Sequence, residues 1–183
     1  MDRGETMSIY TRKGDKGKTD LIGKGVVKSH PRIHVIGLLD EVMVWLGALI
    51  SRFDEQQIAT DDIEYIGKQA SITQCGSADG EGRTDLKLTE EVINNLETKI
   101  DEFEKELPPL RNFIYYTGHK DAILCQQIRV KIRTVERWLV ELHQKEVIEP
   151  TILAFVNRVS DYFYNLGRYL NVKNKYKERI IKL

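Results

Sequence analysis

The sequence predicts an all-α protein, a five-helix bundle preceded by a non-helical N-terminal loop segment. Three observations carry that reading. Apolar residues recur at helical spacing in five separate stretches. The prolines Pro31, Pro108, Pro109 and Pro150 stand at the ends of those stretches and never inside them. No stretch alternates convincingly as a strand, and no internal repeat is visible.

The elements follow in chain order. Residues 11–32 carry Arg12, Lys13, Lys16, Lys18, Lys24, Lys28 and Arg32 against Asp15 and Asp20, with Gly14, Gly17, Gly23 and Gly25 among them. This segment reads as non-helical and locally basic. Pro31 opens the first helix, proline being favoured at the first helical position. Its apolar set is Ile33, Ile36, Leu39, Val42, Leu46, Leu49, Ile50 and Phe53. A weaker second helix starts from Thr60 as N-cap and runs through Ile63, Ile66 and Ile72. The stretch 75–82 reads as the clearest loop, with Gly76, Gly80 and Gly82 close together. Thr89 caps a third helix, with Glu90 and Glu91 where the helix dipole favours acids. Val92, Leu96, Ile100, Phe103 and Leu107 form its core face, and Pro108-Pro109 stops it. The fourth helix starts near His119 and carries Ile128, Ile132, Val135, Leu139 and Leu142. Pro150 opens the fifth, with Leu153, Val156, Phe163, Leu166 and Leu170. The division is one domain over 1–183: an N-terminal segment 1–30, a helical bundle 31–172 and a basic tail 173–183.

Composition bounds the function. A chain of 183 residues is one domain by length and buries roughly 70% of its extended surface without needing a staple. The apolar share of 41% excludes a disordered chain. The charged share of 31%, with a mean hydropathy of −0.40, argues against a membrane protein. Lys and Arg total 28 and Asp and Glu total 28, so no global basic field invites nucleic acid. Cys75 and Cys125 fit reduced thiols. The first residues show no apolar core of a secretion signal, and the apolar stretches fall short of a membrane span, so a cytoplasmic location is expected.

Several residues are candidates for chemistry. Gly17-Lys18-Thr19 ends like a phosphate-binding P-loop, but the required earlier glycine position holds Arg12 and no apolar strand precedes it. The P-loop is rejected. Its physical content remains: glycines let backbone N–H groups approach an anion, and lysines neutralise phosphate. A solvated flexible segment is the open alternative. On the fourth helix Arg129, Arg133 and Arg137 share one face, with Glu136 three after Arg133. Like charges at that spacing call for an acidic partner, a polyanion or plain solvent. Asp40 lies one residue past Leu39, at the edge of the core stripe, where an arginine of the fourth helix would be a natural partner. Asn157, Asp161 and Arg168 share one side of the fifth helix. No histidine has a glutamate three residues before it, so a di-iron bundle site is absent, and neither a zinc set nor a nucleophile motif appears. No metal-ligand set is identified. The residues together suggest a polyphosphate ligand.

Three blocks then resemble the PduO-type family of ATP:cob(I)alamin adenosyltransferases. Tyr10-Thr11-Arg12-Lys13-Gly14-Asp15-Lys16-Gly17, with Lys28, Pro31-Arg32 and Gly37-Leu38-Leu39-Asp40-Glu41, resembles the family's N-terminal pattern. Leu107-Pro108-Pro109-Leu110 with Phe113-Ile114 and then Arg129, Arg133 and Glu136-Arg137 is similar to its middle block. Asn157-Arg158-Val159-Ser160-Asp161 is similar to its C-terminal one. The resemblance spans residues 9 to about 171.

It implies a homotrimer with active sites between subunits. The implied reaction moves the 5′-deoxyadenosyl group of ATP to cob(I)alamin and releases triphosphate, with Mg2+ accompanying ATP. By resemblance, Thr11, Arg12, Gly14, Lys16, Gly17 and Lys28 wrap the triphosphate, and Arg133, Glu136 and Asn157 hold ATP. Arg133, Arg129 and Asp40 take the catalytic roles. Asp40 and Arg129 form an inter-subunit salt bridge beside the corrin, and Phe113 covers the lower face of cobalt. A corrinoid reductase or an adenosylcobalamin-dependent enzyme would be further partners, with no nucleic acid and no membrane. Cob(I)alamin is itself the nucleophile, so the absence of a catalytic Ser, Cys or general base is expected. The chain departs from the pattern at Lys18, in the loop Tyr115-Tyr116-Thr117-Gly118-His119, at Gln126 and at Thr134. The alternative is a non-catalytic ATP-binding helical module, a sensor or a corrinoid carrier.

Overall fold

Five helices dominate the computed structural model, which describes residues 12–79 and 83–182. They are α1 (Pro31–Glu55), α2 (Asp61–Ala78), α3 (Glu90–Glu106), α4 (Lys120–His143) and α5 (Pro150–Lys173). Pro31 and Pro150 occupy the first turns of α1 and α5, where a missing N–H costs nothing. His30 caps α1, its Nδ1 accepting the Arg32 N–H at 3.2 Å. His119 caps α4, its Nδ1 accepting the Asp121 N–H at 3.4 Å. Thr60 and Thr89 stand at the N-cap positions of α2 and α3 but make no side-chain cap bond.

The apolar stripes read from spacing form one core. Leu39, Val42 and Leu46 of α1 meet Ile128, Ile132 and Val135 of α4 and Val156, Val159 and Phe163 of α5, all buried. The helix α4 lies between α1 and α5; α2 flanks α1, and α3 flanks α5. His34 of α1 stacks on Trp138 of α4, with ring centroids 4.5 Å apart and planes 11° from parallel. By length and composition α1 meets the measure of a membrane span, one window averaging 1.8 in hydropathy, which corrects the expectation that every apolar stretch falls short. Its Val35–Leu39–Val42–Leu46–Leu49 stripe is nonetheless the core of this bundle.

Two further expectations are corrected. Residues 75–78 are helical, not loop: α2 runs on to Ala78. The low propensity of Gly76 and Ser77 yields to tertiary contact, since buried Arg32 donates to the Ser77 carbonyl at 2.9 Å. Short strands also exist. β1 (Lys18–Leu21) pairs antiparallel with β2 (Lys24–Val27), Lys18 opposite Val27. Each buries a single residue, Leu21 and Val26, too few to leave an alternation. The Ile22 N–H donates to the Ala78 carbonyl at 3.1 Å, docking this hairpin on the end of α2. β3 (Ile114–Tyr115) pairs with β4 (Arg179–Ile180), so part of the residues read as a basic tail folds back as a strand.

Candidate active site

The inward face of α4 is apolar, which turns Arg129, Arg133 and Arg137 outward in a row. Arg133 and Glu136 are one helical turn apart, 4.0 Å between guanidinium and carboxylate. Glu136 also accepts a hydrogen bond from Asn157 Nδ2 of α5 at 3.0 Å. Three residues expected at the nucleotide are thus one cluster on the α4–α5 seam. The amide and the guanidinium offer donors, and the carboxylate holds both in place. Arg137 is exposed and, among the described residues, donates to Thr134 Oγ1 alone, at 3.1 Å.

Arg129 is fixed differently. Its Nε donates to Gln126 Oε1 at 2.7 Å. Its guanidinium lies 4.8 Å from the Tyr116 ring centre and 5.7 Å from that of Tyr164. Cation–π contact with two rings orients the fork without consuming all its donors. Burial pushes the Tyr164 phenol up, partly offset by Arg168 and Arg129, so it stays protonated at neutral pH. Gln126 is buried and donates to the Tyr164 carbonyl at 3.2 Å. These three partners were not singled out as site residues. Tyr164 stands seven residues after Asn157 on the same side of α5, which is the only signal the spacing offered.

The N-terminal segment forms a compact turn. Arg12 is in the left-handed region, residues Lys13–Lys16 make one 3-10 turn, and Gly17 closes it at φ 74°. The Gly17 N–H donates to the Gly14 carbonyl at 3.2 Å, and the Lys28 N–H to the Gly17 carbonyl at 2.9 Å. The β1–β2 hairpin thereby returns Lys28 to the turn. A Cβ on Gly14 would lie 3.0 Å from Lys28 Nζ. Gly14, Gly17 and Lys28 are therefore gathered, with exposed Lys16 on the same turn. Thr11 lies outside the described residues. Among the described residues, no hydrogen bond or ion pair joins Gly14, Lys16, Gly17 or Lys28 to the Arg133–Glu136–Asn157 cluster within the subunit.

Phe113 is 72% exposed at the head of β3. With Leu110, Ile180 and Ile181 it lines an open hollow of about 780 Å³. Asp40 is exposed on the outer face of α1, not at the core edge as its phase suggested. On this stretch of α1 an ion pair to α4 is made by its neighbour, Glu41 to Lys131 at 2.5 Å. Asp40 and Arg129 do not meet within one subunit. Among the described residues no group of three His, Cys, Asp or Glu is placed to hold a metal ion.

The sequence profile of the family described as Cobalamin adenosyltransferase matches residues 9–170. A Corrinoid adenosyltransferase of Bacillus subtilis (strain 168) is 36% identical over 171 residues, covering 92% of this chain and 89% of that protein. A solved structure of a phenylalanine-to-alanine variant PduO-type ATP:corrinoid adenosyltransferase from Lactobacillus reuteri, complexed with cobalamin and ATP, matches with a TM-score of 0.91 at 30% identity. The match covers 96% of this chain and 100% of the other. An arginine-to-lysine variant from the same organism, complexed with ATP, matches with a TM-score of 0.88 at 31% identity, covering 95% and 100%.

Proposed function

The chain belongs to the cobalamin adenosyltransferase family, and on that premise we propose how its residues divide the work of an ATP:corrinoid adenosyltransferase. The activity is transfer of the 5′-deoxyadenosyl group of ATP to cob(I)alamin. The cobalt electron pair forms the Co–C5′ bond, the C5′–O bond breaks, and triphosphate leaves with that bonding pair. The chain supplies no proton in this step. It must orient C5′ against cobalt, stabilise the leaving triphosphate and keep water out.

The single observation that carries the division is the cluster of Arg133, Glu136 and Asn157 on one seam. It holds the nucleotide, and Arg133 meets charge that grows on the leaving group. The Gly14–Gly17 turn offers backbone N–H groups, and Lys28 and Lys16 add positive charge for the phosphates. Arg12 and Thr11 extend that loop. Magnesium enters with ATP: such ions are bound chiefly by phosphate oxygens and water, with one or two carboxylates, a role that suits Glu136 and no multi-residue cage. When bound, it would neutralise triphosphate charge. Phe113 presents an apolar face to the corrin, which disfavours an axial ligand and eases reduction to Co(I).

The assembly is a homotrimer with sites between subunits. Two observations support this. Among the described residues, Gly14, Lys16, Gly17 and Lys28 make no hydrogen bond or ion pair to the α4–α5 cluster in one subunit, and Asp40 is exposed while Arg129 is held by Gln126 and two tyrosine rings rather than by a carboxylate. Asp40 of one subunit would then pair with Arg129 of the next beside the corrin. A cytoplasmic location and passage of product to an adenosylcobalamin-dependent enzyme complete the reading. The test mixes protein, ATP, magnesium and chemically reduced cob(I)alamin without oxygen and follows the corrinoid spectrum. Appearance of a light-sensitive adenosylated product is expected. ATP binding without conversion would instead favour a nucleotide-binding module. Asp40→Asn is expected to weaken corrinoid use more than ATP binding; equal loss of both would sink that role.

A further inference from the structure

Between Pro108 and His119 no residue is buried, so hydrophobic packing does not fix the segment that bears Phe113. Hydrogen bonds do, at three places. Arg168 Nη2 of α5 donates to the Pro108 carbonyl at 2.8 Å. One turn further, Asn171 Nδ2 donates to the Thr117 carbonyl at 2.9 Å, and its Oδ1 accepts the His119 N–H at 2.9 Å. In between, β4 pairs with β3, and the Ile181 N–H donates to the Phe113 carbonyl at 2.8 Å. The fit at the far end is built around a glycine: Gly118 sits at φ 121°, and a Cβ there would lie 2.1 Å from Asn171 Oδ1.

The strand β4 is itself held by the same arginine. Glu178 accepts from Arg168 Nε at 2.6 Å and from Nη2 at 3.1 Å. Both side chains are shielded, 7% and 17% exposed. The Tyr176 N–H donates to the Asn171 carbonyl at 2.8 Å. A two-residue ladder has little stability alone, so its occupancy depends on what anchors its ends. A two-pronged arginine–carboxylate pair is among the strongest anchors available.

We propose that Arg168, Asn171 and Glu178 are positioning residues for the corrinoid half of the site, with the Arg168–Glu178 pair as the latch that seats residues 174–182 against the Phe113 strand. This rests on the corrinoid adenosyltransferase reading. The latch closes one wall of the Phe113 hollow, because Ile180 and Ile181 arrive with it. The nucleotide cluster is separate: Asn157 precedes Arg168 by three helical turns, about 16 Å along α5.

The test compares Glu178→Gln and Glu178→Asp with the unaltered protein. In Glu178→Gln the corrinoid KM is expected to rise about tenfold while the ATP KM stays within about twofold, since one charge-assisted anchor is lost. Glu178→Asp, which keeps the carboxylate, is expected to recover much of that loss. A corrinoid KM unchanged in Glu178→Gln, or an equal rise in the ATP KM, would overturn the proposal. Hydrogen exchange supplies a readout independent of turnover. Amides of 113–117 and 177–182 are expected to exchange about tenfold faster in Glu178→Gln, with those of α4 unchanged. No acceleration in those two segments overturns the latch whatever the activity. If the unaltered protein adenosylates no corrinoid, the activity reading fails, and exchange alone then decides the latch.

Discussion

Lys28 crosses Gly14 at a distance that leaves room for a hydrogen and little more. The obstacle to a methyl group there is the mobile end of a lysine, so Gly14→Ala is expected to change the ATP KM by no more than about threefold. Lys28→Met removes the cation itself. A hydrogen bond to a charged group contributes roughly 1.5–3 kcal/mol, so the ATP KM should rise about 10- to 100-fold. Steady-state kinetics on the pair separates crowding from charge; a larger effect from Gly14→Ala would contradict the role given to Lys28. Both residues were legible in the sequence, because a lysine's charge and a glycine's bare backbone are properties of the residue type and need no packing to be read. Arg129's partners were not. Tyr116 and Gln126 stood out only as departures from the family pattern and Tyr164 only by its spacing from Asn157; that the three meet Arg129 is decided by how α4, α5 and the loop before α4 pack.

At the level of elements, the five helices were written in apolar spacing and in proline placement, and they stand where those signals put them. What escaped was structure decided by distant contacts: the last turn of α2, two four-residue strands, and a two-residue pairing between β3 and β4. The start of α4 shows the same limit. Asp121 reads as an ordinary acid in a first helical turn, yet it is fully buried. It bonds to Arg52 Nε of α1 and accepts from Gln56 Nε2 at 2.7 Å. Burial pushes its carboxyl up, but the bonds from Arg52 and Gln56 and the Arg52 charge outweigh that and hold it below the ordinary carboxylate range. The native value lies below the unfolded one, so the pair stabilises the fold fully above about pH 4 and loses its contribution as pH falls through the native value. Asp121→Asn is expected to cost about 1–2 kcal/mol, since it removes the charge from a buried acceptor whose partner Arg52 is itself partly exposed and can be solvated instead. It should also flatten the acid limb of stability. Urea midpoints from pH 3 to 6 check both; an acid limb as steep as before would show that other carboxylates carry it.

For the whole molecule, the proposal that the N-terminal turn and the α4–α5 cluster come from different subunits makes a demand on assembly. If each site draws its turn from one subunit and its cluster from the next, two dead variants can repair each other. If the assembly is the proposed homotrimer, Lys28→Met and Arg133→Ala proteins should each be nearly inactive when assayed at ATP well below the raised KM. Unfolded together and refolded as mixed trimers, they should regain activity, because some interfaces receive an intact Lys28 and an intact Arg133. No recovery, in mixed trimers confirmed by mass, would place each site within one chain. The stack of His34 on Trp138 adds an optical consequence. A histidine ring stacked on an indole can quench its emission, so Trp138 is expected to emit less while α1 and α4 are seated together. Parting them by even a few ångströms restores emission. The pair of helices bearing Asp40 and the arginine row therefore carries its own lamp and shutter, and with Trp45→Phe leaving Trp138 as the single indole, its emission can report whether the two stay together.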